Sequence, residues 1–195
     1  RIAVLVTVLG GWELAADRKW IDPFFYSQPS LIWAQIVDWI RNGTSQGSLW
    51  MQVAVTLEET ILGFLIGGVS GIIAGILLGR NKLLSDIFSL YIQIANSVPR
   101  VVLGSVFVIA LGLGMASKVA LAVVMVFFVV FGNAFQGVRE ADKYLIANAR
   151  ILGASPRQLT TSVVIPSAMS WILASLHVSF GFALVGAVVG EFLGA

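Results

Sequence analysis

READKYLIANARILGASPRQLTTSVVIPS, residues 139–167, is the most charge-dense part of an otherwise apolar sequence. Long apolar runs flank this stretch on both sides, and each is long enough to cross a membrane. A charged segment between two such runs lies in water, where another molecule can contact it. We therefore take this stretch as the element that decides how the fold is organised.

The pattern within this stretch predicts a helix, a glycine turn and a second helix. The first helix is predicted over residues 140–152, with its apolar residues on one face. Gly153 follows its C-terminus, where a positive φ costs glycine least. Ser155 is predicted to cap the second helix, with Pro156 at the first helical position and Gln158 completing a capping box. We expect this second helix to continue into the next apolar run.

The composition excludes an ordinary soluble domain. The 195 residues are 58% hydrophobic and only 11% charged, whereas soluble domains carry about 25% charged residues. Apolar runs near the length of a membrane span recur, which is typical of an all-α polytopic membrane protein. The net charge of +2 gives no reason to expect a nucleic-acid partner. The absence of cysteine excludes disulfides and thiolate chemistry, and no pattern of metal ligands is present.

About five membrane-spanning helices are predicted, and we expect the first to be truncated and one more to be missing after the last. They are residues 1–9, 53–79, 83–113, 119–138 and 163–190. A long polar connection is predicted over residues 11–47. Within it, Pro29–Asn42 is predicted to form an amphipathic helix along the membrane surface. We find no internal repeat, and we expect residues 1–195 to be one domain.

The third apolar region is interrupted by Pro99, and we interpret it as one crossing with a kink. One crossing places Arg80 and Lys82 on the same side as the charged stretch. Because cytoplasmic segments carry an excess of Lys and Arg, that side is predicted to be cytoplasmic.

The second span carries five glycines at four-residue spacing. Such a stripe allows a neighbouring helix to approach backbone to backbone, so we interpret it as a packing surface. The glycines are Gly63, Gly67, Gly71, Gly75 and Gly79.

Six of the polar residues within the predicted spans are the candidates for a translocation pathway. Polar groups at membrane depth usually face an aqueous path or a polar partner. Arg100 could attract an anion, or it could pair with Glu58 or Glu59. The others could line the path or hydrogen-bond to neighbouring helices. The six candidates are Gln93, Asn96, Ser97, Arg100, Asn133 and His177.

The charged stretch resembles the EAA signature of ABC importer permeases. Ala149 precedes Gly153 by four residues, and residues 163–166, VVIP, end thirteen residues after that glycine. Residues 152–155, LGAS, are similar to the usual residues of the family at this turn. The Glu and the first Ala of the signature are replaced by Ala147 and Asn148. Further similarity to the nitrate, sulfonate and taurine branch lies in residues 21–25, 29–30, 49–50, 112–114 and 117–118.

This resemblance implies a permease that contacts an ATPase through a cytoplasmic coupling region of about residues 139–162. The contact residues that it implies are Ala147, Asn148, Ala149, Gly153, Ala154, Ser155, Pro156 and Pro166. The family usually has a basic residue near the position of Glu59 and apolar residues near that of Arg100. The resemblance therefore also implies that Glu59 and Arg100 form an ion pair with the charges exchanged, a swapped ion pair.

The partners implied by the resemblance are two ATPase subunits, a second permease copy and an extracytoplasmic solute-binding protein. ATP and Mg²⁺ would be bound by the ATPase subunits, because the phosphate-binding motif GxxxxGK[ST] is absent here. The chain itself would not be an enzyme. It would lie in the bacterial cytoplasmic (inner) membrane and pass a small anionic solute.

Two other classes of protein fit less of the sequence. A secondary transporter could use Arg100 and His177, but the internal repeats and midplane carboxylates of that class are missing. An intramembrane serine protease could use His177, but no nucleophile motif accompanies it.

Overall fold

The computed structural model describes residues 1–194, apart from the side chains of Lys82, Gln93, Ala95 and Asn96. The described chain is helical and contains no β-strand, in agreement with the predicted all-α class. The helices are α1 Ile2–Asp17, α2 Pro23–Tyr26, α3 Pro29–Asn42, α4 Leu49–Arg80, α5 Lys82–Ser97, α6 Leu103–Leu111, α7 Met115–Arg139, α8 Lys143–Ile151, α9 Pro156–Leu159 and α10 Ile165–Leu193.

The chain forms two compact units, Arg1–Val55 and Thr56–Ala195. In the first unit, helix α3 has the bounds that its amphipathic pattern predicts. The Glu13 carboxylate of α1 accepts hydrogen bonds from the Ser30 hydroxyl (2.6 Å) and from the Ser30 backbone N–H (3.0 Å). A carboxylate at a helix N-terminus is favoured by the helix dipole, so this contact holds α1 against the start of α3.

The prediction that the first apolar helix ends at residue 9 was wrong. Helix α1 continues through Gly10 and Gly11 to Asp17, because Leu14, Ala15 and Ala16 favour helix enough to outweigh the two glycines. It ends before Lys19, which has a φ of +54°.

Among the described residues, three helical segments are long and apolar enough to cross a membrane. They are Leu49–Arg80, Met115–Arg139 and Pro156–Leu193. In the second unit, α7 packs against both α4 and α10, and its buried residues include Leu121, Val126 and Val130. The core of this unit is therefore organised around α7.

The five glycines of α4 that repeat at four-residue spacing all face α7. A Cβ added to Gly75 would lie 2.7 Å from the Ala134 Cβ and 2.8 Å from the Phe131 carbonyl oxygen. A Cβ on Gly71 would lie 2.9 Å from the Phe127 carbonyl oxygen. The two backbones are thus too close for any side chain between them.

Gly75→Ala is expected to lower the free energy of unfolding by about 1–3 kcal/mol, since its methyl group must displace the α7 backbone. Gly132→Ala is the matched control on α7, because no atom of another segment lies within 4 Å of a Cβ there. That control should be neutral or stabilising by up to about 1 kcal/mol. Denaturant unfolding of the purified protein in detergent measures both, and equal losses would contradict the packing argument.

The region predicted as one kinked crossing consists of two short helices, α5 and α6. Val98 is extended (φ −76°, ψ 127°), as expected for a residue that precedes proline. A 3₁₀ turn over Arg100–Val102 follows and leads directly into α6. The interruption therefore lies at Pro99, as the sequence predicts, but it breaks the helix completely instead of bending it.

Candidate coupling and translocation sites

The first helix of the charged stretch is α8, and it begins at Lys143, not at Glu140 as predicted. The Asp142 carboxylate accepts a hydrogen bond from the Tyr144 N–H (2.7 Å) and so caps the helix. Glu140 instead follows the end of α7, where its carboxylate accepts from the Gln136 side-chain amide (2.7 Å). A carboxylate that caps a helix N-terminus is a stronger start signal than helix propensity alone.

The turn after α8 has the geometry that its sequence predicts. Gly153 has a φ of +84°, and its N–H donates to the Arg150 carbonyl oxygen (3.0 Å). The Ala154 N–H donates to the Ala149 carbonyl oxygen (3.0 Å). These bonds satisfy carbonyl groups that the end of α8 would otherwise leave without partners.

The second helix begins with the predicted capping box. The Gln158 N–H donates to the Ser155 hydroxyl oxygen (3.3 Å), and the Ser155 N–H donates to the Gln158 side-chain carbonyl oxygen (2.8 Å). Pro156 occupies the first turn. Both sides of the turn are therefore fixed by local hydrogen bonds, so α8 and α9 hold a defined relative orientation.

A π-helical segment, Thr160–Val164, connects α9 to α10, and the sequence did not lead us to expect it. Pro166 has no N–H to donate to the carbonyl oxygen of Ser162, so the regular α-helical pattern fails at this point. The hydroxyl group of the buried Thr160 donates to the Pro156 carbonyl oxygen (2.9 Å). Proline at the start of a long apolar helix was the signal that could have indicated this segment.

The coupling pair, residues 143–159, exposes a patch of apolar side chains. Tyr144, Ile151 and Leu152 are each more than 80% exposed. An open groove of about 570 Å³ lies beside them, between α8 and the start of α10. Contiguous exposed apolar surface at the end of a polar segment usually marks a contact with another protein.

The sequence-predicted coupling residues lie on and around this patch. Asn148 and Ala149 line the groove from α8, and Pro166 lines it from α10. Among the other predicted residues, Ala154 is half-buried, while the rest are exposed. The exposed ones are Ala147, Gly153, Ser155 and Pro156.

The pathway candidates occupy separate places in the second unit. The side chains of Gln93 and Asn96 lie outside the described residues, and Ser97 is exposed. The Arg100 guanidinium carbon lies 5.3 Å from the centre of the Phe128 ring, a distance at which the cation is attracted to the ring face.

The remaining two pathway candidates lie on the long helices α7 and α10. The Asn133 side-chain amide donates to the Val129 carbonyl oxygen of its own helix (2.8 Å). His177 lies on an exposed face of α10, together with the small residues Ser170, Ala174 and Gly181. This face of α10 is opposite the one that packs on α7.

A buried polar cluster that the sequence did not predict lies in the N-terminal half of α4. Glu59 is 1% exposed, and its carboxylate lies 3.6 Å from the Lys118 ammonium nitrogen of α7. The Thr56 hydroxyl donates to the Glu191 carboxylate of α10 (2.7 Å). The ion pair that the structure shows for Glu59 is thus with Lys118, whereas the sequence suggested Arg100. Three helices meet at these four side chains.

Comparisons with known proteins agree with these features. Residues 67–195 match the family model described as "Binding-protein-dependent transport system inner membrane component". The chain is 28% identical over 195 residues to the taurine transport system permease protein TauC of Escherichia coli, covering 100% of this chain and 70% of TauC. It is 32% identical over 149 residues to the putative aliphatic sulfonates transport permease protein SsuC of Bacillus subtilis, covering 76% of this chain and 54% of SsuC.

The fold also resembles a solved structure. The crystal structure of an amino acid ABC transporter with histidines superposes with a TM-score of 0.59 at 22% identity. The superposition covers 72% of this chain and 69% of that one.

Proposed function

Because the chain belongs to the family of binding-protein-dependent transport system inner membrane components, we propose that its residues 139–162 couple it to the ATPase subunits of an importer. The chain is a membrane-spanning permease subunit of an ABC importer of the nitrate, sulfonate and taurine type. Permease subunits of this kind are not enzymes. ATP and Mg²⁺ are bound by the partner ATPase subunits in this proposal.

The observation that carries the coupling proposal is the apolar patch on a helix pair of fixed geometry. Tyr144, Ile151 and Leu152 are each more than 80% exposed on this pair. The pair continues through the π-helical segment into α10 without a flexible linker. A displacement of the docked pair would therefore be passed directly to a membrane-spanning helix.

The assembly that we propose contains two permease copies, two ATPase subunits and an extracytoplasmic solute-binding protein in the bacterial inner membrane. Residues 1–195 would act in it as one permease domain. The exposed face of α10 around His177 carries small residues that allow close approach of a second helix. We place this face toward the second copy, and we propose that His177, Asn133 and residues 93–100, at the end of α5 and the interruption that follows it, line the path.

The solute is proposed to be a small anion. Taurine and aliphatic sulfonates, the solutes in the names of the two relatives, both carry a sulfonate group. Arg100 would contribute a positive charge near the interruption between α5 and α6. Most of the selectivity can lie in the separate binding protein.

The proposed coupling is tested by purifying the full-length protein from its native membrane in mild detergent and identifying the copurified chains. An ATPase subunit present in equal amount is expected. A preparation without ATPase at any detergent strength would contradict the proposal and favour a secondary transporter that uses Arg100 and His177.

A pair of variants at Gly153 tests the turn itself. Gly153→Val is expected to reduce ATP-driven uptake strongly, because a β-branched residue at φ +84° is strained by about 1–3 kcal/mol. Gly153→Asn should retain most uptake, since Asn tolerates this conformation. No atom of another segment lies within 4 Å of a Cβ at this position, so steric clash is not the cause. Equal uptake by the two variants would show that the glycine conformation is unimportant.

A further inference from the structure

A cavity of about 260 Å³ lies between the end of α4 and the coupling pair. One part of its wall is apolar and includes Val138 and Leu159, which are both buried. Two exposed arginines also line it, Arg80 at the end of α4 and Arg150 in the last turn of α8. The cavity therefore combines an apolar wall with two positive charges.

These two charges have no carboxylate partner among the described residues, where the ion pair found is Glu59 with Lys118. The two acidic residues nearest to Arg150 along the chain are otherwise engaged. Glu140 accepts from Gln136, and Asp142 caps α8. Two positive charges beside one cavity favour the binding of an anion between them. The space equals the volume of about eight water molecules, which is enough for a phosphate group and its ester substituents.

We propose that this cavity binds a phosphate group, held by the guanidinium groups of Arg80 and Arg150. Guanidinium binds phosphate through paired, charge-assisted hydrogen bonds. Arg80 ends a membrane-spanning helix, so the cavity lies at the depth of lipid headgroups, where basic pockets between helices bind anionic lipids. The apolar wall can cover the glycerol and the first acyl carbons of such a lipid. A phosphate-bearing molecule from solution has the same headgroup chemistry and is the other possible source.

A bound phosphate would connect α4 to α8. It would fix the position of the coupling pair relative to the membrane-spanning helices, and it would make transport depend on anionic lipid. This consequence rests on the proposed function, but the binding itself does not. A chain that binds the lipid without copurifying an ATPase would overturn the coupling proposal alone.

Native mass spectrometry of the full-length protein tests the binding, with phosphatidylglycerol, phosphatidylcholine or inorganic phosphate added in turn. A preference for phosphatidylglycerol over phosphatidylcholine is expected. It should fall by about fivefold in Arg80→Gln, by about the same in Arg150→Gln, and further in the double variant. Arg157→Gln removes an exposed charge of α9 that does not line the cavity, and it should keep the preference. Thermal unfolding in phosphatidylcholine nanodiscs checks that each variant is folded.

Three results distinguish a lipid ligand, a soluble phosphate ligand and the absence of the site. If the preference for phosphatidylglycerol is lost in the Arg80 and Arg150 variants but not in Arg157→Gln, the site is supported and its phosphate comes from a lipid. Inorganic phosphate bound with the same dependence on Arg80 and Arg150 supports the site with a soluble source. A preference unchanged in the double variant, or lost equally in Arg157→Gln, overturns the proposal, as does the absence of binding in all arms.

Discussion

Leu152→Asp is expected to separate the permease from its ATPase subunits and to abolish ATP-driven uptake. Leu152 is 86% exposed, so the substitution should change the stability of the isolated chain by no more than about 0.5 kcal/mol. At the centre of an apolar interface, however, a buried carboxylate without a partner is unfavourable. Losses at such interface positions are typically about 2–4 kcal/mol, which weakens association by about 30-fold or more.

The measurement is the ratio of ATPase to permease after purification in mild detergent, together with solute uptake by reconstituted vesicles. Phe24→Asp is the matched control, because Phe24 is equally exposed (86%) but lies in α2, outside the coupling region. It should copurify the ATPase in normal amount. A Leu152→Asp variant with normal ATPase content would show that the exposed patch is not the docking surface.

The second large effect is expected at the buried cluster of Glu59 and Lys118. Lys118→Met leaves the Glu59 carboxylate, which is 1% exposed, without its counter-charge. Neither carboxylate oxygen accepts a hydrogen bond from the described residues, so no other group compensates for the loss. Removal of one partner of a buried ion pair typically destabilises by about 3–5 kcal/mol. We expect the variant to accumulate poorly in the membrane and to unfold at lower denaturant concentration.

The double variant Glu59→Gln/Lys118→Met shows whether the instability of Lys118→Met comes from the lost counter-charge or from a packing defect. Removing both charges eliminates the cost of burying an unpaired carboxylate, so most of the lost stability should return. Glu59→Gln alone should be mild, because Lys118 is 19% exposed and its ammonium group can reach water. If the double variant is as unstable as Lys118→Met, the Lys118 side chain contributes through packing and not through charge.

The features predicted correctly from the sequence are those that depend on neighbouring residues. Gly153 and the Ser155–Gln158 capping box belong to one turn, and their residue types decide its geometry. The amphipathic helix Pro29–Asn42 is likewise set by its own pattern. Such local preferences are independent of how the rest of the chain packs.

The features that were missed depend on distant residues or on competing local signals. Nothing in the sequence around Glu59 indicates that its partner is Lys118, because the contact arises only when α4 packs on α7. The start of α8 was misplaced because Glu140 and Asp142 are both plausible N-terminal residues, and the choice depends on where α7 ends. The apolar patch lies within the charged stretch that the sequence singles out, whereas the cavity between α4 and the coupling pair is lined by residues of four helices that must be positioned together.

The π-helical segment has a consequence for the spacing between Gly153 and Pro166. A π turn is geometrically an α-helix with one extra residue accommodated in it. Each residue of an α-helix turns the chain by about 100° and advances it by about 1.5 Å. Deleting one residue here would therefore restore a regular α-helix and leave the coupling pair nearly in place, whereas winding the same number of residues as a regular α-helix would rotate the pair around the axis of α10 by about 100°. The π conformation of this segment thus sets the rotation of the coupling pair relative to α10, and with it the direction in which the apolar patch points.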